Sequence, residues 1–324
     1  MLILIFHIVD RRLEMIQVFS QKKNKPHLYG FTDLGEAPDP NGVSFPTVEF
    51  SISVDDGKNW ISCYDVENLQ GVYCYSSPNV PPARRTDNTQ KVGFQDGTRL
   101  ISTSFASRQL KFKLFYDGVD TTDAMLAFES AQTFLVGREA YWITFADWKN
   151  RMYYGTAEMG DPDFETNGWT CEVTFTDLMG LSRSIGTSTN PVDDMWAVNA
   201  NLPNKGDYPS YSFTSNNFSV YNLSNVAIDP ERRGHEFKLT LQGSSGGNFK
   251  ITNKTNGDYV YRSKAFNGTW VLNGVNPTLN NDGDQLNIVG THGGVLTLGI
   301  GKNDFAIENF SGKVTFDFPF WWLA

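Results

Sequence analysis

Between Leu110 and Leu114 apolar and basic residues alternate, with Leu110, Phe112 and Leu114 on one side and Lys111 and Lys113 on the other. A period of two over such a stretch predicts a half-buried strand. After a turn at Asp117-Gly118, Ala124, Phe128, Ala131 and Leu135 recur at helical spacing; Thr121 or Thr122 is placed to cap the start, and Gly137 marks the end. This is the one helix the pattern predicts. Strand signals resume in "YWITFAD" and "RMYYGTAE" and are sharpest where Trp169, Cys171, Val173 and Phe175 alternate with Thr170, Glu172, Thr174 and Thr176. The order strand, helix, strand, strand predicts an α+β domain in which one helix packs on an antiparallel sheet.

The run "GTSTNP" from Gly186 to Pro191 is small and polar and reads as a linker, dividing residues 15–187 from 188–324. Beyond it, Phe237, Leu239 and Leu241 alternate with polar residues, as do Phe249 and Ile251 and later Val295 to Ile300. The dipeptides Asn256-Gly257, Asn267-Gly268 and Asn273-Gly274 between these runs suit tight hairpin turns. Short strands spaced by such turns, with no helical period, predict an all-β sandwich or jelly roll. The stretch "FSGKVTFDFPFWWLA" reads as its closing strand, with Val314, Phe316, Phe318, Phe320 and Trp322 inward. Trp321 and Leu323 fall on the other face, where they would cover the junction with the first domain.

Composition narrows the function classes. The 324 residues suit two domains with cores of their own, and the 14% aromatic content suits β-rich packing. A net charge of -9 lacks the footprint of tight nucleic-acid binding. Cys63, Cys74 and Cys171 make neither a disulfide framework nor a zinc pattern, so they read as buried free thiols, with Cys63–Cys74 pairing across a hairpin as the alternative. "MLILIFHIV" lacks the basic start and small-residue site of a signal peptide, and it is well short of the roughly 20 residues needed to span a bilayer. Residues 1–14 are therefore read as an extension that is not native, with Met15 as the natural start, and no membrane partner is expected.

Few residues offer chemistry. His7, His27, His235 and His292 are scattered, and His235 and His292 read as surface imidazoles at strand or turn edges. Ser244-Ser245-Gly246-Gly247 is not a nucleophile elbow. "NNDGDQ" at 280–285 lacks the twelfth-position glutamate of a calcium loop and reads as a polar turn. The adjacent carboxylates Asp193 and Asp194 do not supply the separation that sugar hydrolysis requires. No catalytic residue, metal or cofactor is expected, and the protein is read as non-enzymatic. Trp196, Tyr208, Tyr211, Tyr259, Tyr261 and Trp270 could stack on sugars or fill the core; of these, Trp196, Tyr259 and Trp270 are the candidate glycan-binding residues. Ser76 to Leu100 shows no apolar period and reads as a long irregular loop, either a loose surface segment or an intersubunit arm carrying Arg84, Arg85 and Phe94.

The order "RQLKFKLFYDG", "TTDAMLAFESAQTFLV", "YWITFADWKNRMYYGTAEMGD", "GWTCEVTFTDLMG" resembles the N-terminal domain of the distal tail (Dit) proteins of long, non-contractile-tailed phages. "GNFKITNKTNGDYVYR" and the close from Asp284 to Ala324 are similar to that family's galectin-like C-terminal domain. The extension at 1–14 and "GEAPDPNGVSFP" depart from the pattern and bear on the N-terminal strand and its ring contacts. The resemblance implies a virion protein of the tail tip, assembled in the host cytoplasm as a homo-hexameric ring through which DNA passes. Its expected partners are the tail tube protein, a tail-associated lysin or fibre protein, and receptor-binding proteins. A carbohydrate-binding module that recognises host cell-wall glycan is the alternative.

Overall fold

The computed structural model describes residues 16–28, 42–43, 45–148, 150–191, 208–287 and 292–324. His7, Trp196, Asp193, Asp194, the extension at 1–14 and most of "GEAPDPNGVSFP" lie outside these residues. Among them, no helix is long and apolar enough to cross a membrane.

The N-terminal half is built on a ten-stranded sheet. Its spine runs Ile61–Ser62, Phe50–Ser53, Tyr141–Phe145, Met152–Met159, Gly168–Asp177, Arg108–Asp117 and Val72–Asn79, each pairing antiparallel. Period-two burial sets the register, with Leu114 opposite Cys171, Phe112 opposite Val173 and Leu110 opposite Phe175. All six are buried, while Lys111 and Lys113 are exposed.

The helix Thr121–Leu135 lies on this sheet. It buries Leu135 and Ala124, Ala127 and Ala131, the alanines' small side chains letting it sit close, and the Trp169 indole N–H donates to the Ala124 carbonyl at 2.9 Å. Phe128 is only half-buried, edge-on to Trp169. The cap is Asp120, one residue before the threonines expected there; its carboxylate accepts from the Thr122 and Asp123 backbone N–H groups at 2.8 and 2.9 Å. The three cysteines are buried free thiols.

The C-terminal half has two antiparallel sheets. One orders Ser212–Phe213, Ser311–Asp317, Lys238–Ser245, Phe266–Asn273, Asn276–Leu279 and Asp282–Gly283; the other orders Asn217–Asn222, Gly301–Glu308, Phe249–Asn253 and Tyr259–Arg262. Their inner faces share one core, joined by ring contacts such as Phe305 to Phe316 at 4.9 Å and Phe249 to Trp270 at 5.8 Å. Asn256-Gly257 and Asn273-Gly274 are turns, with Gly φ values of 87° and 61°. Asn267-Gly268 is instead inside a strand, where the missing Cβ leaves room for the Asn280 side chain that accepts from the Thr269 N–H. "NNDGDQ" is a turn leading into a short strand. Val295–Ile300 forms no strand; it makes a single bridge, Leu298 to Ile228, although Leu296 and Leu298 are fully buried.

The halves meet differently from the expected linker. Ser182–Thr187 is a strand of the N-terminal sheet, and Pro319–Trp322 leaves the C-terminal core to pair with it. The expected single closing strand is therefore two, Ser311–Asp317 and Pro319–Trp322, each in a different sheet. The Ser188 side chain bridges the bend, donating to the Phe316 carbonyl and accepting from the Phe318 N–H.

Arginines of the N-terminal half, Arg108 and Arg151, close on this last segment, and Arg183 lies in the strand that pairs with it. Arg108 donates from Nε to Asp177 at 3.0 Å and from Nη1 to the Leu323 carbonyl at 2.7 Å. Arg151 lies 3.6 Å over the Trp322 ring, and its burial lowers the guanidinium pKa to about 10. Arg183 stacks on Trp142 and pairs with Asp56 and Glu236. Trp321 is buried at the junction as expected; Leu323 is not, being 38% exposed.

His235 also departs from its surface reading, for it is 6% exposed and stacks on Trp321 with ring centroids 4.9 Å apart. Its Nδ1 accepts from the Asp229 N–H, which only a neutral ring can do at that atom, and burial pushes its pKa down from 6.5 to about 4 against the opposing Asp229 carboxylate. Arg233 adds to the depression. The unfolded imidazole takes up its proton near its ordinary pKa and the folded one only near 4, so stability falls as pH drops through this window, by about 3 kcal/mol in all. Urea midpoints taken at neutral pH and near pH 4.5 check this: His235→Gln should lose less stability on acidification than the unaltered protein, and equal losses would contradict the assignment.

Candidate functional site

The segment expected to be an irregular loop is a β-hairpin. Arg84–Gln90 pairs antiparallel with Arg99–Ala106, from Arg84 opposite Ala106 to Gln90 opposite Arg99, with a bulge after Asn88. Gly93 and Gly97 take positive φ values of 54° and 79° at its tip. The hairpin is a two-stranded sheet of its own, joined to no other described strand. Every residue from Arg84 to Ser102 is exposed.

Its base is fixed and its length is not. Phe105 and Ala83 pack on the C-terminal core, and the Arg233 guanidinium donates to the Thr103 carbonyl. Gly180, with φ at 66°, abuts the Ala106 carbonyl so closely that a Cβ would stand 2.1 Å from the oxygen. Beyond that base, Val92, Leu100 and Ile101 are each roughly half exposed, and Phe94 at the tip is entirely so. A lone two-stranded ribbon is at best marginally stable in water. Both outer edges carry unpaired backbone groups, which is a template for another strand.

Of the residues singled out in sequence, Arg85 makes a bidentate pair with Asp87 on its own strand, at 2.7 and 2.6 Å. This pair lowers the Asp87 pKa, through the hydrogen bond foremost. The side chains of Arg84 and Phe94 project with no hydrogen bond, ion pair or ring contact to any described residue. The hairpin between Arg84 and Arg99 holds four basic and two acidic residues in a chain of net charge -9. Pattern reasoning missed Leu100 and Ile101, whose signal was the turn pair Asp96-Gly97 followed by an apolar pair.

A second exposed apolar surface lies on the same half. A groove of about 490 Å3 is lined by Trp142, Tyr154, Met179, Val54 and Leu178, the last two 80% and 50% exposed. The carboxylate of Asp56 stands at its rim. Asp55, next to it, is held at a pKa of about 2 by the Asn59 backbone and side-chain N–H groups.

Of the glycan candidates, Trp196 lies outside the described residues, and Trp270 and Tyr259 form no shared platform. Trp270 corrects the expectation of a stacking platform: it is fully buried, its indole N–H donating to Asp284 at 2.8 Å, with no face open to a sugar. Tyr259 is half-buried, its ring against Gly293 and 4.6 Å from the Lys250 ammonium. Among the described residues no group of His, Cys, Asp and Glu is placed to hold a metal ion.

Residues 68–176 match the family model described as the phage tail protein RIFT-related domain. No curated protein sequence matches the chain. Among solved structures, the crystal structure of the Dit protein of phage SPP1, described as a paradigm of the hub adsorption apparatus in phages infecting Gram-positive hosts, is similar at 15% identity. It covers 84% of this chain and 99% of its own, with a TM-score of 0.54. Chains of the phage p2 baseplate in its activated conformation, with strontium or with calcium, align at 11% identity with TM-scores of 0.35 and 0.33. Each covers 84% of this chain, and 97% and 98% of its own. The helix and the central strands thus lie within a stretch that matches a phage tail RIFT-related domain, and the fold of the two halves is similar to that of SPP1 Dit.

Proposed function

We propose that this protein is a non-enzymatic hub at the tail tip, six copies of which form a ring joining the tail tube to a tail-associated lysin or fibre protein and to receptor-binding proteins. Residues 15–187 make the ring and meet the tube, while residues 188–324, a galectin-like domain, face outward. The net charge of -9 suits a channel through which DNA passes without being held, since phosphates find few counter-charges to displace.

The observation that carries this reading is the unsupported hairpin. Its exposed Phe94, Leu100 and Ile101 lack a partner within the described chain, and the groove at Val54 and Leu178 offers an exposed apolar surface on the same half. A basic hairpin crossing to the groove of the next copy, which Asp56 helps to line, is a head-to-tail contact, which closes into a ring when the rotation allows. Light scattering after size exclusion tests it. The unaltered chain should elute as an oligomer, and the combined substitution Phe94→Ser, Leu100→Ser, Ile101→Ser should reduce it to a monomer with its thermal midpoint kept. An unchanged oligomer in the variant would remove the hairpin from the interface.

A further inference from the structure

A cleft of about 510 Å3 opens on the C-terminal half between the turn at Asp229–Arg232, the Asn256–Asp258 turn and the segment from His292 to Gly299. Two things set it apart from an ordinary surface depression. Its carboxylate is fixed, and its polar groups are mixed in kind.

Asp258 Oδ2 accepts from the Thr297 N–H at 3.0 Å, the Asn256 amide at 3.0 Å and the Thr297 hydroxyl. These donors hold the carboxylate, only 15% exposed, in one orientation. Its other oxygen, Oδ1, faces His292 Nδ1 at 3.4 Å, and that imidazole is 62% exposed. Arg232, Glu231 and Asp229 line the same cleft. Val295 adds a partly apolar wall above the buried Leu298 and Ile228. Gly293 keeps the lip low; a Cβ there would strike the Tyr259 ring at 2.9 Å.

The set of groups selects a class of ligand. Three carboxylates against one guanidinium repel an anion, and among the described residues Asp229, Glu231, Asp258 and His292 are not grouped closely enough to hold a metal ion. A hydroxyl both donates and accepts, so it suits a position beside the 3.4 Å contact of Asp258 Oδ1 and His292, and a neighbouring hydroxyl suits the fork of Arg232.

We propose that this cleft binds a neutral saccharide through adjacent hydroxyls, with Asp258, His292 and Arg232 as the recognising groups and Tyr259 as a supporting wall in place of a stacking platform. The proposal stands apart from ring formation. The full chain is screened on an array of neutral and acidic oligosaccharides, and the best neutral binder is titrated by calorimetry. Arg232→Ala and His292→Ala, both at exposed side chains, should each weaken binding about tenfold with the thermal midpoint unchanged. The hairpin variant Phe94→Ser, Leu100→Ser, Ile101→Ser should bind as the unaltered protein does. Retention of no neutral saccharide, retention of acidic ones only, or undiminished affinity in both cleft variants would overturn the assignment.

Discussion

Replacing Arg108 by Met should lower the free energy of unfolding by about 3–5 kcal/mol, the cost of leaving a buried charge without its partner. Arg108 and Asp177 have side chains only 1% and 0% exposed, with Nε and Oδ2 3.0 Å apart. Burial raises the Asp177 pKa even with the guanidinium opposing it, so the carboxylate depends on Arg108 to stay charged. The same guanidinium donates to the Pro81 and Leu323 carbonyls, so its loss also loosens the entry to the hairpin and the final segment. The double variant Arg108→Met, Asp177→Leu should recover much of the loss, because it removes the stranded charge. Denaturant titration of the three proteins checks this. A single variant costing under about 1 kcal/mol would show that the pair does not hold the junction.

Phe316→Ala carries the second large effect, about 3–5 kcal/mol. Phe316 is fully buried in the C-terminal core, where its ring meets Phe305 at 4.9 Å, Phe218 at 5.8 Å, Phe237 at 6.1 Å and Phe213 at 6.4 Å. Phe305 and Phe218 belong to the opposing sheet, so the cavity would open between the two sheets where neither can close alone. Its strand continues into Pro319–Trp322, which pairs with the N-terminal sheet, so the loss should reach the junction as well. Thermal unfolding followed by tryptophan fluorescence reads it. A shift no larger than that of Phe94→Ala, at an exposed tip, would contradict the placement of Phe316 at the centre of this core.

What the sequence reveals follows from what its periodicity records. Alternation reports one-sided burial, so the strands at Leu110–Leu114 and Trp169–Phe175 are legible, and the helix between them is legible to within a residue at its start. The hairpin is exposed on both faces from Arg84 to Ser102, so it leaves no alternation and looks like loop. Asn267-Gly268 has the composition of a turn, yet it serves a strand because a side chain from another loop needs the space. At Pro319 the chain changes sheets while the residues on either side stay apolar, since both environments are buried; nothing local marks the exchange. Arg108 and Arg151 hold segments more than 130 positions away, a separation that erases any spacing signal. Counting aromatics pointed to Trp270 as a sugar platform, but composition does not say which way a ring faces.

The central claim is that this chain assembles as a ring through its hairpin. Negative-stain electron microscopy of the purified protein tests that most directly. The account predicts closed particles of six subunits around an open channel, lost in the Phe94→Ser, Leu100→Ser, Ile101→Ser variant. Single subunits in the unaltered protein at high concentration, or closed rings surviving those substitutions, would contradict it.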